Sequence, residues 1–441
     1  MKKQFIITTV SCFLLIFFGK ISLFAQEQPT EELKITFQLR PRAEVRNGLF
    51  TPILDGQKPG SFIAQRTRAG LTYSKENKLK IGISAQSVNT WGNDPQVQFT
   101  GNNISLYEAY AQFYFSKEWS VKAGRQVLSY DDERILGALD WNNAGRKHDA
   151  FLLKLERNKL NADLGFAFNQ NSEKVTGTFF SNAGSQPYKS MEFLWIKYKI
   201  SEAISFSGLA INLDFQNQFD SSISHLQTAG GNIFYKKGKW NVTGTYYFQH
   251  GKNEPKTTSS TKTNAWMGAA KIDYAVNKKA SVGIGGDYLT GAKNSGSTQT
   301  YFNPLYGTHH KFYGFMDYFY VSSAHKNAGL WDSYLNVNVK PTTEINMQLA
   351  LHHFEAASKI VDYRGRNAGS TLGNEADLTL NYQVMKDVKL SGGYSQMFTA
   401  PSMKYVKNIL PDQQMKTVQN WVWLSLNINP DILIFKREAN N

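Results

Sequence analysis

The chain alternates short, charged turns with much longer, polar and glycine-rich loops. Eight short turns each join two strands of alternating polarity, at 74–78, 116–118, 156–159, 201–202, 236–239, 277–279, 341–344 and 385–387. With further strands starting at Lys34 and near Asn420, the total is eighteen, and both termini lie on the short-turn side. Outer-membrane barrels have an even number of antiparallel strands, short periplasmic turns and long external loops. The sequence therefore predicts an all-β transmembrane antiparallel β-barrel of about eighteen strands.

Alternation within each strand gives it an apolar and a polar face. In the first strand, Ile35, Phe37 and Val45 alternate with arginines and a glutamate, and 331–340 and 375–384 repeat this period of two. Each strand has roughly ten usable residues, which suits a tilted membrane strand. A barrel of this size is wide enough for an aqueous channel.

Aromatic residues lie near many strand ends, among them Trp240, Trp266, Trp421 and Trp423. They fit the aromatic girdles of a membrane barrel. The alternative is that aromatic residues are simply common in strands.

The first 25 residues have the features of a secretory signal peptide. Lys2 and Lys3 precede an apolar run from Phe5 to Phe18, and Ala25 ends a short segment suited to cleavage. No linker or change of composition divides the rest. We expect a signal peptide at 1–25, a short N-terminal segment at 26–33, one barrel domain at 34–430 and a C-terminal tail at 431–441. The expected location is the outer membrane of a Gram-negative cell.

Cysteine content and charge narrow the function. The single cysteine, Cys12, lies in the expected signal peptide, so the mature chain would have no disulfide, catalytic thiolate or cysteine-ligated metal. Loss of three lysines with that peptide lowers the formal charge from +14 to +11. An exported basic protein points to anionic solutes, glycans or lipid headgroups. Nucleic-acid binding would require a cytoplasmic protein with a concentrated basic patch.

The first hairpin carries the most specific chemistry of the chain. Five arginines and one glutamate share the polar faces of its two strands: Arg40, Arg42, Arg46, Arg66, Arg68 and Glu44. Facing a lumen, this wall would concentrate anions and offer bidentate contacts to carboxylates. The alternative is an internal ladder of salt bridges across the barrel, to Glu108, Asp131, Asp132, Glu375 or Asp377. Both arrangements can hold together.

The segment between Leu128 and Lys147 is too charged for a membrane strand and too apolar in its middle for a free external loop. Folded into the barrel, it would bury Ile135, Leu136 and Leu139 and present its charges to the channel. The alternative is a loop packed over the mouth of the barrel.

Several segments resemble those of the alginate export family of outer-membrane proteins. They read RPRAEVRNG, RTRAGL, EAYAQF, GRQVLSYDDERILGALDWNNAGRKHDAF, LYGTHHKFYGFMDYF and LGNEADLTLNYQ. The similarity runs from about Thr36 to Pro430, and Gly124 to Asp149 is its most specific part. The resemblance implies an eighteen-stranded barrel whose arginine-rich lumen passes anionic polysaccharide, without implying alginate itself.

The matching positions supply candidates for residues that line the pore. They are Arg40, Arg42, Glu44, Arg66, Arg68, Glu108, Arg125, Asp131, Asp132, Arg134 and Arg146. Arg46 joins them from the face of the first strand. Arg125 shares its parity with Val121 and Ala123, so it faces the channel only if its strand bends or bulges.

We expect a porin-like channel for anionic polysaccharide or oligosaccharide, with no enzymatic activity, cofactor or metal. The alternatives are a general diffusion porin for small anionic or sugar solutes and, third, a barrel enzyme. An enzyme would need a nucleophile or paired acids beside a histidine at the external rim, and no local signature of one is present. Expected partners are outer-membrane lipid, an anionic glycan or small anionic solute, and periplasmic export components.

Two histidine pairs, His309–His310 and His352–His353, suggest metal ligands at first sight. Adjacent residues of a strand point to opposite faces, so both members of a pair cannot easily bind one ion. We therefore expect no metal at either pair.

Overall fold

The computed structural model describes residues 30–94, 96–97, 103–177, 179–180, 188–217, 221–252, 262–292, 298–319 and 325–437. The expected signal peptide, 1–25, lies outside these ranges. Within them, no helix has the length and apolar character needed to cross a membrane.

Almost every element is a strand. In chain order they are β1 (Glu31–Asn47), β2 (Gly60–Lys75), β3 (Leu79–Thr90), β4 (Ile104–Tyr114), β5 (Trp119–Gln126), β6 (His148–Glu156), β7 (Leu160–Phe168), β8 (Ser190–Lys199), β9 (Ile204–Gln216), β10 (Ile223–Lys237), β11 (Trp240–Lys252), β12 (Lys262–Ala275), β13 (Ala280–Leu289), β14 (Thr298–Gln299), β15 (Leu330–Val339), β16 (Ile345–Glu355), β17 (Thr371–Met385), β18 (Val388–Thr399), β19 (Val418–Ile428) and β20 (Asp431–Arg437). A 3₁₀ turn covers His309–Lys311, and one helical turn, α1, covers Met403–Val406.

Eighteen of these strands form a closed antiparallel barrel. Each pairs with its neighbours in sequence, and β1 pairs with both β2 and β19, which closes the sheet. The two others are β14, a two-residue strand parallel to β12, and β20, which continues β19 along β1. The eight short connections fall at the predicted turns, so the predicted fold and strand number are confirmed.

Both ends of the sheet extend beyond the expected range of 34–430. β1 begins at Glu31, and β20 pairs with β1 from Thr36 back to Glu31. Part of the segment expected to be a C-terminal tail therefore belongs to the sheet.

The two faces of the strands separate as predicted. On β1, Ile35 and Val45 are 38% and 45% exposed on the outside, whereas Glu44 is 2% exposed inside. On β17, Leu378 is 43% exposed and its neighbour Asp377 is fully buried. The outer surface is thus apolar and suited to lipid, while the charged face is enclosed.

Aromatic rings form part of an outer girdle near the long-loop end. Tyr246, Trp266 and Tyr288 stack in a row on β11, β12 and β13. Trp421 and Trp423, in contrast, point into the barrel and are nearly buried. The girdle prediction is therefore wrong for these two, because β19 places them opposite a loop that fills the lumen.

Two long loops fold into the barrel and form what we call the plug: 127–147, between β5 and β6, and 300–319, between β14 and β15. They join through a parallel bridge between Leu136 and Tyr306. Tyr306 donates its backbone N–H to Ile135, and Gly137 donates to Tyr306, both at 3.0 Å. Ile135 and Leu136 are buried and Leu139 is half-buried. The interpretation of 127–147 as a loop inside the barrel is thus confirmed.

We predict that Gly124→Ala weakens the barrel. Gly124 has a φ of +116°, and a Cβ there would lie 2.2 Å from the carbonyl oxygen of Ala109. A strained backbone position of this kind costs about 1–3 kcal/mol. The temperature at which the folded band disappears in heat-modifiability gels should fall by several degrees. Gly208→Ala is the control, since its nearest neighbour would be 3.8 Å away; equal melting of both variants would contradict the prediction.

Candidate functional site

The basic wall of the first hairpin places like charges directly opposite one another. In the β1–β2 register, Arg40 faces Arg66 and Gln38 faces Arg68. Like charges at directly opposed positions destabilise a sheet. A counter-charge is therefore needed between Arg40 and Arg66.

Asp140 of the plug supplies that counter-charge. Its Oδ1 lies 2.9 Å from Arg66 Nη1, and its Oδ2 lies 3.3 Å from Arg40 Nη1. Arg40 also donates to Asn143 Oδ1 at 2.9 Å. Burial tends to raise the pKa of Asp140, but the guanidiniums of Arg66 and Arg40 outweigh it and hold that pKa below the ordinary value. Asp140 therefore stays ionised and fastens the plug to the wall.

A second cluster lies beside it around Glu44. Arg42 and Arg46 donate to the two oxygens of Glu44 at 2.8 and 2.9 Å, and Trp421 Nε1 donates at 3.0 Å. Arg42 also donates to the backbone oxygen of Trp141 at 2.9 Å and lies 4.1 Å from the centre of its ring. The buried Glu44 is thus fully engaged, and Arg42 becomes a second attachment of the plug.

Arg68 completes the wall. Its guanidinium lies 3.4 Å above the ring of Tyr107, and its Nη2 donates to Gln86 at 2.7 Å. Gln86 in turn donates to the backbone oxygen of Ala144 at 2.8 Å. Arg68 therefore also supports the plug, through a neutral residue.

The carboxylates expected to pair with this wall lie elsewhere. Glu108 accepts a long 3.4 Å bond from the backbone N–H of Val127, and Asp131 accepts from Trp195 Nε1 at 2.9 Å. In the described parts of the chain, the salt bridges of the wall go to Glu44 and Asp140. A salt-bridge network is present, but it joins the wall to itself and to the plug and does not cross the barrel.

An acidic wall on the inner faces of β13, β15 and β17 anchors another part of the plug. Its four carboxylates are almost completely buried: Asp287, Asp332, Glu375 and Asp377. Arg134 of the plug lies 2.8 Å from both Asp287 and Asp132, and 3.9 Å above the ring of Phe312. Glu375 accepts the backbone N–H of Met316 at 2.8 Å.

Arg146 joins the two loops of the plug. It donates to the backbone oxygens of Tyr306 and, at 3.0 Å, of Gly307. Eleven of the twelve pore candidates therefore lie inside the barrel.

Arg125 is the exception. It lies opposite Ala109 and Asp149 in the sheet and forms two hydrogen bonds of 2.9 Å with the Asp149 carboxylate. Phe151, on the same face of β6 as Asp149, is exposed to the outside. The structure therefore places Arg125 on the outer surface and corrects its selection as a pore residue, because strand alternation continues through Gly124.

The histidines of each pair take separate partners. His352 faces inward and lies 2.9 Å from Asp332, whereas His353 faces outward and lies 2.8 Å from Asn374. His310 lies 2.9 Å from Asp317 and stacks on Trp141. Within the described ranges, no cluster of three or more histidine, cysteine or acidic residues has the arrangement of a metal site.

Three cavities lie on the short-turn side of the plug. The arginine cavity, of about 550 Å³, is lined by Arg40, Arg42, Lys311 and Lys389 against Glu133 and Asp140, together with neutral amides and hydroxyls. The aspartate cavity, of about 350 Å³, contains Asp132, Asp287 and Asp332. The lysine cavity, of about 740 Å³, contains Lys80, Lys122, Lys154 and Lys197. The arginine and lysine cavities each have more cationic than anionic side chains in their linings, whereas the aspartate cavity balances its three aspartates with Arg134, Lys271 and Lys311.

Sequence reasoning missed Asp140 and Trp141 as functional residues. Both lie in the segment that carries the family resemblance, but outside a strand alternation gives no direction for a side chain. It also missed the four lysines of the lysine cavity, Lys80, Lys122, Lys154 and Lys197. Extending the inner-face parity to β3, β5, β6 and β8 would have found them.

The comparisons with known proteins agree with this architecture. A family model described as "Alginate export" matches residues 33–400. A search of curated protein sequences gave no match. Among solved structures, OccAB4 of Acinetobacter baumannii is similar, with 12% identity and a TM-score of 0.61, covering 92% of this chain and 99% of that one. OpdK, an outer-membrane protein of Pseudomonas aeruginosa, is similar with 10% identity, a TM-score of 0.61, and coverage of 91% and 99%.

We predict that Asp140→Asn loosens the plug. Neutralising Asp140 leaves Arg40 and Arg66 opposed without a counter-charge, so amides of 127–147 should exchange hydrogen faster in the folded barrel. Asp412→Asn, in the exposed loop before β19, is the matched control and should leave that exchange unchanged. Equal protection of 127–147 in both variants would contradict the prediction.

Acid should act on the same contact. Because the pKa of Asp140 is lowered in the folded protein, its stabilisation is present above the unfolded pKa of about 3.9 and is lost as the pH falls through the lower folded value. Exchange within 127–147 should therefore show no step due to Asp140 between pH 7 and pH 5, and a rise below about pH 4. Asp140→Asn should abolish that rise.

Proposed function

This chain is an outer-membrane β-barrel that belongs to the alginate export family, and we propose that its lumen passes anionic polysaccharide or oligosaccharide. The observation that carries the proposal is the arginine cavity. Four cationic side chains line it against two carboxylates. An excess of positive charge in a narrow, low-dielectric space raises the local concentration of anions.

The other lining residues of this cavity suit a saccharide. Amides and hydroxyls predominate, from Gln38, Gln348, Thr379, Asn381, Ser391, Ser425 and Asn427. Such groups both donate and accept hydrogen bonds, as sugar hydroxyls do. Several bond one another, for example Gln38 to Asn427 at 2.7 Å and Ser391 to Asn381 at 2.7 Å. A chain of sugars could exchange these bonds one after another without a single tight site.

The plug makes passage conditional. Its two loops pack together inside the barrel and are tied to both walls, so a polymer can pass only when the plug moves. Asp140 is the natural release point, because its carboxylate is 59% exposed although it bridges two enclosed guanidiniums. A polyanion can offer its own carboxylates to Arg40 and Arg66 in place of Asp140.

Two other functions fit part of the structure. A general porin for small anionic or sugar solutes would use the same basic cavity, and one similar structure is of OpdK with vanillate. A barrel enzyme has less support, since family and fold point to a channel. We also propose that residues 1–25 direct export, and that lipid surrounds the outer face and periplasmic export components meet the short-turn end.

We predict that Lys389→Glu shifts the ion preference of the channel toward cations. Lys389 lines the arginine cavity without serving as an anchor of the plug, so the substitution tests charge and leaves the plug attached. In planar bilayers under a salt gradient, the reversal potential should move toward the cation value. The shift should shrink at 1 M salt, where the screening length is about 3 Å.

Lys386→Glu is the matched control, because Lys386 lies three residues earlier in the exposed β17–β18 turn. It should leave the reversal potential nearly unchanged. The absence of conductance in the native protein would contradict the proposed channel, and equal shifts in both variants would contradict the role of the arginine cavity in ion preference. Retention of acidic polymer by a deletion strain, with normal uptake of vanillate, would separate polysaccharide passage from a small-solute porin.

A further inference from the structure

The lysine cavity lies apart from the arginine wall, on the inner faces of β3 to β8. One lysine comes from each of four strands: Lys80 from β3, Lys122 from β5, Lys154 from β6 and Lys197 from β8. Each lies within a few residues of a short turn. The cavity therefore faces the short-turn end, the side from which an exported substrate would arrive.

The register brings these charges close together. Lys80 and Lys122 both lie opposite Gln112, so the two lysines flank one residue in the same row of the sheet. Lys154 lies opposite Asp163 of β7, and Lys197 lies opposite Asn161, two residues earlier on the same strand and on the same face. Neighbouring strands are about 4.8 Å apart, which places Lys80 and Lys122 about 10 Å from each other.

The carboxylates nearby do not neutralise the cluster. The ammonium of Lys154 lies 2.9 Å from the carboxylate of Asp163 and 3.6 Å from that of Glu156. Asp131 accepts from Trp195, and Tyr130 also donates to Asp163 at 2.8 Å. Among the residues that the structure describes, Lys80, Lys122 and Lys197 form no salt bridge.

This differs from the arginine wall. There, Arg40, Arg42, Arg46 and Arg66 all pair with Glu44 or Asp140, and Arg40, Arg42 and Arg66 hold the plug. The lysines hold nothing comparable, and their cavity is larger, at about 740 Å³ against 550 Å³. The lysine cavity has four lysines against Asp131, Glu156 and Asp163 in its lining, and three of those lysines lie outside the salt bridges of the described residues.

Aromatic side chains give the cavity a second kind of surface. The ammonium of Lys122 lies 3.7 Å from the ring centre of Tyr110, which positions it by a cation–π contact. Tyr114 and Trp195 line the same space. The lining is mainly polar, and these aromatic rings supply part of its apolar surface.

We infer that the lysine cavity is a binding site for carboxylated oligosaccharide, separate from the arginine wall and reached from the short-turn end. Ammonium groups bind the carboxylates, and the aromatic rings cover the faces of the sugar. The inference rests on the proposed function, since it specifies where the anionic saccharide is first held.

The test is binding of trigalacturonate to the purified barrel, measured by calorimetry in detergent and by block of the current in planar bilayers. Lys122→Gln combined with Lys197→Gln should weaken binding about a hundredfold, because each of the two lost charge-assisted hydrogen bonds contributes about a factor of ten. Lys236→Gln combined with Lys237→Gln removes the same charge from the exposed β10–β11 turn and should leave the affinity unchanged.

The outcomes separate the inference from the proposed channel. Equal affinity of both double variants, in samples with the heat-modifiable mobility of the native barrel, overturns the lysine site. Equal binding of neutral maltotriose and trigalacturonate also overturns it, because the lysines would then contribute no selectivity. A native protein that binds trigalacturonate by calorimetry but conducts no current would keep the site and contradict the channel.

Discussion

The interior of this barrel depends on the carboxylate of Asp140 between the guanidiniums of Arg40 and Arg66. The pairing of β1 with β2 places these two arginines directly opposite each other, and water screens them only weakly because the side chains of Arg40 and Arg66 are 11% and 1% exposed. A buried charge without a partner is very costly, so the wall requires an anion. The described strands place no carboxylate beside Arg40 and Arg66, and the plug supplies Asp140. The same contact that relieves the wall therefore fixes the loop.

Once the plug is held at one end, its other contacts follow. Trp141, next to Asp140, packs against Arg42, Trp421 and Trp423. Arg134 reaches Asp287 on the acidic wall, and the second loop joins through Leu136 and Tyr306. The plug carries a negative charge to the basic wall and a positive charge to the acidic wall. Its orientation in the lumen is thus determined by charge on both sides.

This arrangement separates charges that hold the structure from charges that remain open to solutes. Most arginines of the first hairpin are enclosed and paired, and paired buried ions mainly fix geometry. The lysines of β3 to β8 line an open cavity, and among the described residues three of the four form no salt bridge. An arginine-rich sequence therefore does not by itself locate the selective part of a channel. A lysine outside a salt bridge is better suited than a paired arginine to binding an anion that must later leave.

The sequence by itself determined the eighteen strands, their turns and their two faces, because strand period and turn length are local properties of the chain. It also placed Arg40, Arg42, Glu44, Arg66 and Arg68 inside, since each follows the parity of its strand. The family resemblance selects Arg125 as a pore residue, although strand alternation places it outside, and the structure agrees with the alternation. Only the tertiary structure decided the partners. Asp140 lies in a loop without periodicity, and Trp421, which the alternation of β19 turns inward, meets Trp141 of the plug and Glu44 of β1 only in the folded barrel. Which carboxylate meets which guanidinium depends on how two distant loops fill one lumen, and no local pattern records that geometry.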